Sequence, residues 1–187
     1  MRVRDVPYLA LDFELDGLRK NAHLLQAGWV PFAGRSIAMG EAQSLDIRSD
    51  AQLDDEAVTI HGIGEQRAAQ GEPLAKVISP LIEALAGRLM VAHAAGIENA
   101  ALRGAAKKLY GEDLPIRYVC TLTLERRMNP NLVGPEVYRL ANCRKRYGLP
   151  DYQAHDALTD AIAAAELFQA QLSRLPPDTT IGEIERS

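Results

Sequence analysis

Residues 8–18 read Tyr-Leu-Ala-Leu-Asp-Phe-Glu-Leu-Asp-Gly-Leu, an apolar run with two acids, Asp12 and Glu14, set into its far end. A run of this length and character predicts a buried strand over 8–14, and the two-residue period of a strand puts both carboxylates on one face. Like charges held together at the edge of a core raise each other's pKa, and low dielectric sharpens the cost. Two arrangements relieve it. Either the strand end is open to water and both acids are solvated, or positive charge stands between them, for which a divalent cation held by carboxylate oxygens is the simplest source.

The rest of the chain bounds the choice. At 187 residues it is long enough for one domain with a proper core, expected over 1–175 with a tail at 176–187. Its net charge of -4 and pI of about 5.6 leave no global basic field, so any contact with nucleic acid is expected to be local. Cys120 and Cys143 form no C-x-x-C pair, which reads as free thiols in a reducing compartment without a zinc site. Asp12 interrupts the first apolar run before it reaches signal-peptide length, and Arg88 and His93 interrupt the best membrane-span candidate. The expectation is a cytoplasmic protein with no membrane partner.

Coarse patterning predicts a mixed sheet. After the first strand, 23–32 reads as a second strand that turns at Ala33-Gly34-Arg35 into a third within 36–47. Asp54 or Asp55 caps a short helix that His61-Gly62-Ile63-Gly64 breaks. Apolar residues at three-and-four spacing predict a helix over 73–86, with Pro80 inside it. Leu89-Met90-Val91-Ala92 reads as a buried strand, 97–110 as a helix, 116–122 as a last strand, and 157–172 as a long alanine-rich helix. Residues 179–187 show no packing pattern. Three antiparallel strands followed by alternating helices and strands give an α/β domain with a mixed five-stranded sheet flanked by helices.

Further acids then fall into order. His93-Ala94-Ala95-Gly96-Ile97-Glu98 follows the strand at 89–92, and His155-Asp156-Ala157-Leu158-Thr159-Asp160-Ala161 opens the last long helix. With Asp12-x-Glu14-x-x-Gly17-Leu18 and His61-Gly62-Ile63, these segments resemble the DnaQ-like exonucleases of the DEDDh type, within the ribonuclease H-like superfamily. The resemblance spans about residues 8–172. It implies a 3′–5′ exonuclease that hydrolyses phosphodiester bonds at the 3′ end of single-stranded DNA or short oligonucleotides with two divalent ions, Mg2+ or Mn2+. Asp12 would bridge both ions, Glu14 and Asp160 would hold the one that activates water, Glu98 would act on the second, and His155 would be the general base. Two cations about 4 Å apart suit such a displacement, because they stabilise both attacking and leaving oxygens. Imidazole suits the base because its ordinary pKa lies near neutrality.

The sequence departs from the family pattern at informative places. Ala94, Ile97 and Glu98 stand where the second motif usually has Asn, Phe and Asp, and Leu15 and Asp16 stand where the first commonly has threonines. Glu98 keeps charge and donor type but adds a methylene. Leu15 and Leu18 are expected either to meet the last base of the substrate or to fill core, and His61 to line the cleft or close a helix. Asp156 shares a helical face with Asp160 and is a rival carboxylate. Arg126-Arg127 and Arg144-Lys145-Arg146 read as solvated helix faces or as local steering charge. Two other readings stay open: an RNA-trimming or oligoribonucleotide-degrading enzyme, and a non-catalytic binding module whose second metal site Glu98 has impaired. A homodimer and a polymerase-type partner are both compatible with the resemblance.

Overall fold

The computed structural model of the protein describes residues 1–17 and 22–185. Strand β1 (Pro7–Leu15) is the centre of the sheet: it pairs antiparallel with β2 (Leu24–Ala33) on one side and parallel with β5 (Leu89–Ala92) on the other. Beyond β2 lie β3 (Ser36–Ile37) and β4 (Gln43–Asp46), both antiparallel to it, and beyond β5 lies β6 (Tyr118–Cys120). The expected α/β class holds. The sheet has six strands where five were expected, because a 3-10 turn at Met39–Glu41 splits the third strand into β3 and β4.

Eight α-helices accompany the sheet among the described residues: α1 (Asp55–His61), α2 (Glu65–Ala69), α3 (Leu74–Leu85), α4 (Gly96–Tyr110), α5 (Thr121–Met128), α6 (Leu140–Arg146), α7 (Ala157–Arg174) and α8 (Ile181–Ile184). Strand alternation sorts the core into two layers. Leu9, Leu11 and Phe13 face one side with Trp29 and pack on Val77, Ile78 and Leu81 of α3 and Leu102 of α4. Tyr8 and Ala10 face the other side with Phe32 and pack on Ala161, Ala165 and Phe168 of α7. Tyr8 stacks on Phe32 at 5.1 Å between centroids and meets Phe168 edge-on at 5.0 Å. Trp29, 2% exposed in β2, packs within the α3-side layer.

The alanines of α7 allow it to lie close to the sheet, and Gly28 lets its first turn come closer still. A Cβ at Gly28 would stand 2.1 Å from the Leu158 nitrogen. Asp54 is the residue that caps α1, accepting from the Glu56 and Ala57 N–H groups, and α3 runs through Pro80.

Three expectations need correction. Residues 121–122 begin α5 instead of ending a strand, so β6 is short. Arg144 is neither a solvated nor a steering charge: it is 2% exposed, donates to the Ala163 and Pro150 carbonyls and pairs with Glu166 at 2.7 Å. The stretch 176–185 is not a loose tail. Thr180 and Glu183 form a capping box for α8, Ile181 and Ile184 are buried in the α7-side core, and Arg2 bridges to Thr180. Among the described residues no helix is long and apolar enough to cross a membrane.

Candidate active site

The site forms at the C-terminal end of β1. Asp12 and Glu14 project together toward α7, opposite Gly28 and Gln26 in the ladder, and the register slips between Glu14 and Leu15 so that pairing ends just past the acids. Because Gly28 has no side chain, the first turn of α7 sits directly above Asp12. That turn carries Asp160, and carboxylate oxygens of Asp12, Glu14 and Asp160 lie within 4.8 Å of one another. Glu98, in the first turn of α4, is 4% exposed and completes the group from the β5 side.

Electrostatics match that crowding. Burial pushes Asp12 well above the usual carboxylate range, and the charges of Glu98, Asp160 and Glu14 push it further. Glu14 rises to about 7 through burial and then through Asp160 and Asp156. Glu98 rises to about 8, mostly through burial, with Glu14 adding to it. Asp160 is raised by burial, although hydrogen bonds from the Tyr152 side chain and the His155 N–H draw it back. Among the described residues none of the four is in an ion pair with lysine or arginine, and Glu98 Oε2 is buried without a hydrogen-bond partner. Four carboxylates crowded together, with no lysine or arginine ion pair among the described residues, offer the hard oxygen donors that fit divalent cations.

His155 and Asp160 fall where the five-residue spacing puts them, one in the loop before α7 and one inside the helix. The His155 ring is exposed and its backbone takes a left-handed φ of 70°. Its N–H donates to Asp160 Oδ2 at 2.8 Å. Asp156 serves as the N-cap of α7, its Oδ1 accepting from the N–H and hydroxyl of Thr159, and it is not one of the three clustered carboxylates.

The flanking residues divide. Leu15 is half-buried and lines, with Ile97, Gly96 and Arg48, an open groove of about 800 Å³, Leu15 and Ile97 being the chain neighbours of Glu14 and Glu98. Leu18 lies outside the described residues. His61 is buried at the end of α1; its Nδ1 accepts from the Ile63 N–H, its Nε2 has no partner, and burial lowers its pKa. Asp16 is fully buried and accepts the Asp54 N–H at 2.6 Å, which ties it to the start of α1. His93 bridges Thr121 Oγ1 and the Tyr138 carbonyl, and burial lowers its pKa to about 4. Gln26 was missed by the sequence reading. Its Oε1 accepts the Ala157 N–H at 3.0 Å, and the available signal was a lone amide inside an apolar strand.

Comparison with known proteins agrees with this arrangement. A DNA polymerase III of PolC type from Thermotoga maritima is 27% identical over 165 residues, which is 88% of this chain but 12% of that protein. The zinc-bound ExoI–single-stranded DNA complex of E. coli superposes with a TM-score of 0.78 at 19% identity, covering 92% of this chain and 41% of that one. Exonuclease X, solved with 5′-overhanging duplex DNA, gives 0.70 at 22% identity, covering 95% and 99%. The chain thus spans a small part of its PolC-type relative and nearly all of exonuclease X, and both structural likenesses show a ribonuclease H-like fold. The RNase T model, described as exonuclease, matches residues 9–168, so the chain belongs to that exonuclease family of divalent-metal-dependent nucleases.

Proposed function

We propose that the chain is a 3′–5′ exonuclease that releases nucleotides from the 3′ end of single-stranded DNA or short oligonucleotides. The observation that carries this reading is the meeting of Asp12, Glu14 and Asp160 within 4.8 Å, with Glu98 buried beside them. Asp12, Glu14 and Asp160 would hold one divalent ion, and Asp12 with Glu98 a second. When bound there, the ions supply Lewis acidity: they ease deprotonation of water and offset charge on the phosphate.

The chain's own residues do the rest. The exposed His155 imidazole takes a proton from the attacking water. The water oxygen forms the new bond to phosphorus while the bond to the 3′ oxygen of the preceding nucleotide breaks, that oxygen keeping the electron pair and taking up a proton. The product is a nucleoside 5′-monophosphate. Leu15 and Ile97 give the neighbouring groove an apolar wall that accepts any terminal base, whereas His61, buried at the end of α1, is not among the residues that line it. The net negative charge favours short or frayed ends over long duplex. What supports Glu98 as a working ligand, against a binding module with a spoiled second site, is its unpartnered buried oxygen beside Asp12.

The test is a time course on 5′-labelled single-stranded DNA, single-stranded RNA and a duplex with a recessed 3′ end, with Mg2+ or Mn2+, beside a chelator control and Asp12→Ala. A ladder shortening from the 3′ end that both controls abolish is the expected result. Tight oligonucleotide binding by folded protein with no cleavage of any substrate would replace this reading with the binding module.

A further inference from the structure

Resting on the reading of Asp160 as a metal ligand, we propose that Gln26, Asp46 and Arg67 form a positioning relay that sets where Asp160 stands relative to Asp12 and Glu14. Gln26 is 3% exposed and occupies a junction: it lies opposite Glu14 in the β1–β2 ladder and opposite Asp46 in the β2–β4 ladder. Its amide nitrogen donates to Asp46 Oδ1 at 3.0 Å, and its amide oxygen accepts the Ala157 N–H at 3.0 Å. Only one amide orientation satisfies both partners, because a carboxylate only accepts and a backbone N–H only donates.

Asp46 is fixed in turn. Arg67 of α2 grips it with two parallel hydrogen bonds, Nε to Oδ2 and a terminal nitrogen to Oδ1, each 2.7 Å. Such forked pairs define direction as well as distance. The relay therefore runs from a guanidinium on the helix after the His61-Gly62-Ile63 loop, through the carboxylate on β4, to the first N–H of α7. A helix's first N–H groups have no partner of their own, so whatever accepts from Ala157 sets the depth of that helix end. Asp160 is three residues further, within the same turn. Gly28 lets α7 touch the sheet, and Gln26 fixes the point of contact.

The relay touches no substrate atom, so its signature is metal affinity. Partners in the shell behind metal ligands typically matter by about 10–100-fold. Binding of Mn2+ alone is measured by calorimetry on Gln26→Met, Arg67→Met and the double variant, each shown folded by circular dichroism and held well below its melting temperature. Gln26→Met, neutral for neutral, is expected to weaken Mn2+ binding about tenfold or more. Arg67→Met is the sharper case: removing a nearby cation should by itself strengthen Mn2+ binding, so the expected weakening of several-fold, on the order of the lower end of that range, opposes simple electrostatics. The double variant should be no worse than Gln26→Met, since the two act through one chain of contacts. Mn2+ affinities within twofold of wild type in the folded variants, whatever their melting temperatures, overturn the relay alone. Arg67→Met keeps the proposal testable if Gln26→Met does not fold, because that side chain is 46% exposed. A wild-type protein that binds no Mn2+ overturns the relay and the metal reading together.

Discussion

Asp160 Oδ2 accepts the backbone N–H of His155 at 2.8 Å, and that contact ties the proposed base to a proposed ligand through the main chain. The tie matters because His155 is held at a φ of 70°, a region that costs a residue with a Cβ about 1–2 kcal/mol. The loop carrying the imidazole is thus shaped by the same carboxylate that faces Asp12 and Glu14.

Separating the ring from its backbone is the first test. His155→Ala keeps the N–H and hence the grip on Asp160, so Mn2+ affinity should stay within about twofold while turnover falls on the order of 10²–10⁴-fold. Single-turnover kinetics beside Mn2+ calorimetry measure both. Undiminished turnover would remove the general-base assignment.

Glu98 makes the opposite case, in which a conservative change should harm. Its carboxylate reaches the cluster with one more methylene than aspartate has, from a backbone already placed in the first turn of α4. Glu98→Asp withdraws the oxygens by roughly an angstrom, and cleavage should fall up to about a hundredfold. A gain in activity would mean that Glu98 is the defect in this site.

Stability should depend on pH and metal together. Glu14 at about 7 and Glu98 at about 8 in the fold lie above their unfolded values, so the folded chain holds more protons across the intervening range. Stability of metal-free protein should therefore fall as pH rises from about 5 to about 8, by on the order of a few kcal/mol. Saturating Mn2+ should flatten the slope and raise the melting temperature more at pH 8 than at pH 5.5, because protons compete for the same oxygens. Melting curves with chelator or Mn2+ at both pH values decide it; a chelated protein that stabilises as pH rises would contradict the electrostatic account.

A single methyl at Gly28 should disable the site without touching an acid. Gly28→Ala puts a Cβ 2.1 Å from the Leu158 nitrogen and 2.2 Å from the Ala157 carbonyl carbon, both backbone atoms. Helix α7 must lift, costing about 1–3 kcal/mol of stability and, if Asp160 moves by an angstrom, about a hundredfold in rate. Thermal melts and the oligonucleotide assay on one preparation test both.

The end of the chain carries a purely structural prediction. Ile184 is 1% exposed in the α7-side core, so Ile184→Ala should destabilise by about 2–5 kcal/mol with Mn2+ affinity unchanged. A change within about 0.5 kcal/mol on denaturant unfolding would restore the view of residues 176–187 as a loose tail.

What was legible in the sequence was whatever depends on near neighbours. The β1 run and the α7 alanines declare their periods within a few residues, and the acids stand at strand and helix ends whose order along the chain is visible. Helix α5 was hidden because it follows β6 without a breaker and buries Thr121 and Glu125, polar residues that blur its pattern. The T-x-x-E signal at Thr180 and Glu183 was present and went unread. Arg144 and Gln26 could not be interpreted locally: Arg144 finds Glu166, and Gln26 finds Ala157, across separations that only the fold closes.

The chain's first and last described segments meet. Ile181 donates its N–H to the Met1 carbonyl at 3.1 Å, and Arg2 bridges to Thr180, both beside the Pro7 end of β1. At roughly 3.3 Å per residue that junction lies some 20 Å along the strand from the acids. A short linker joining the two ends, with the chain reopened between α5 and α6, should therefore give a circular permutant that keeps its metal ligands in register.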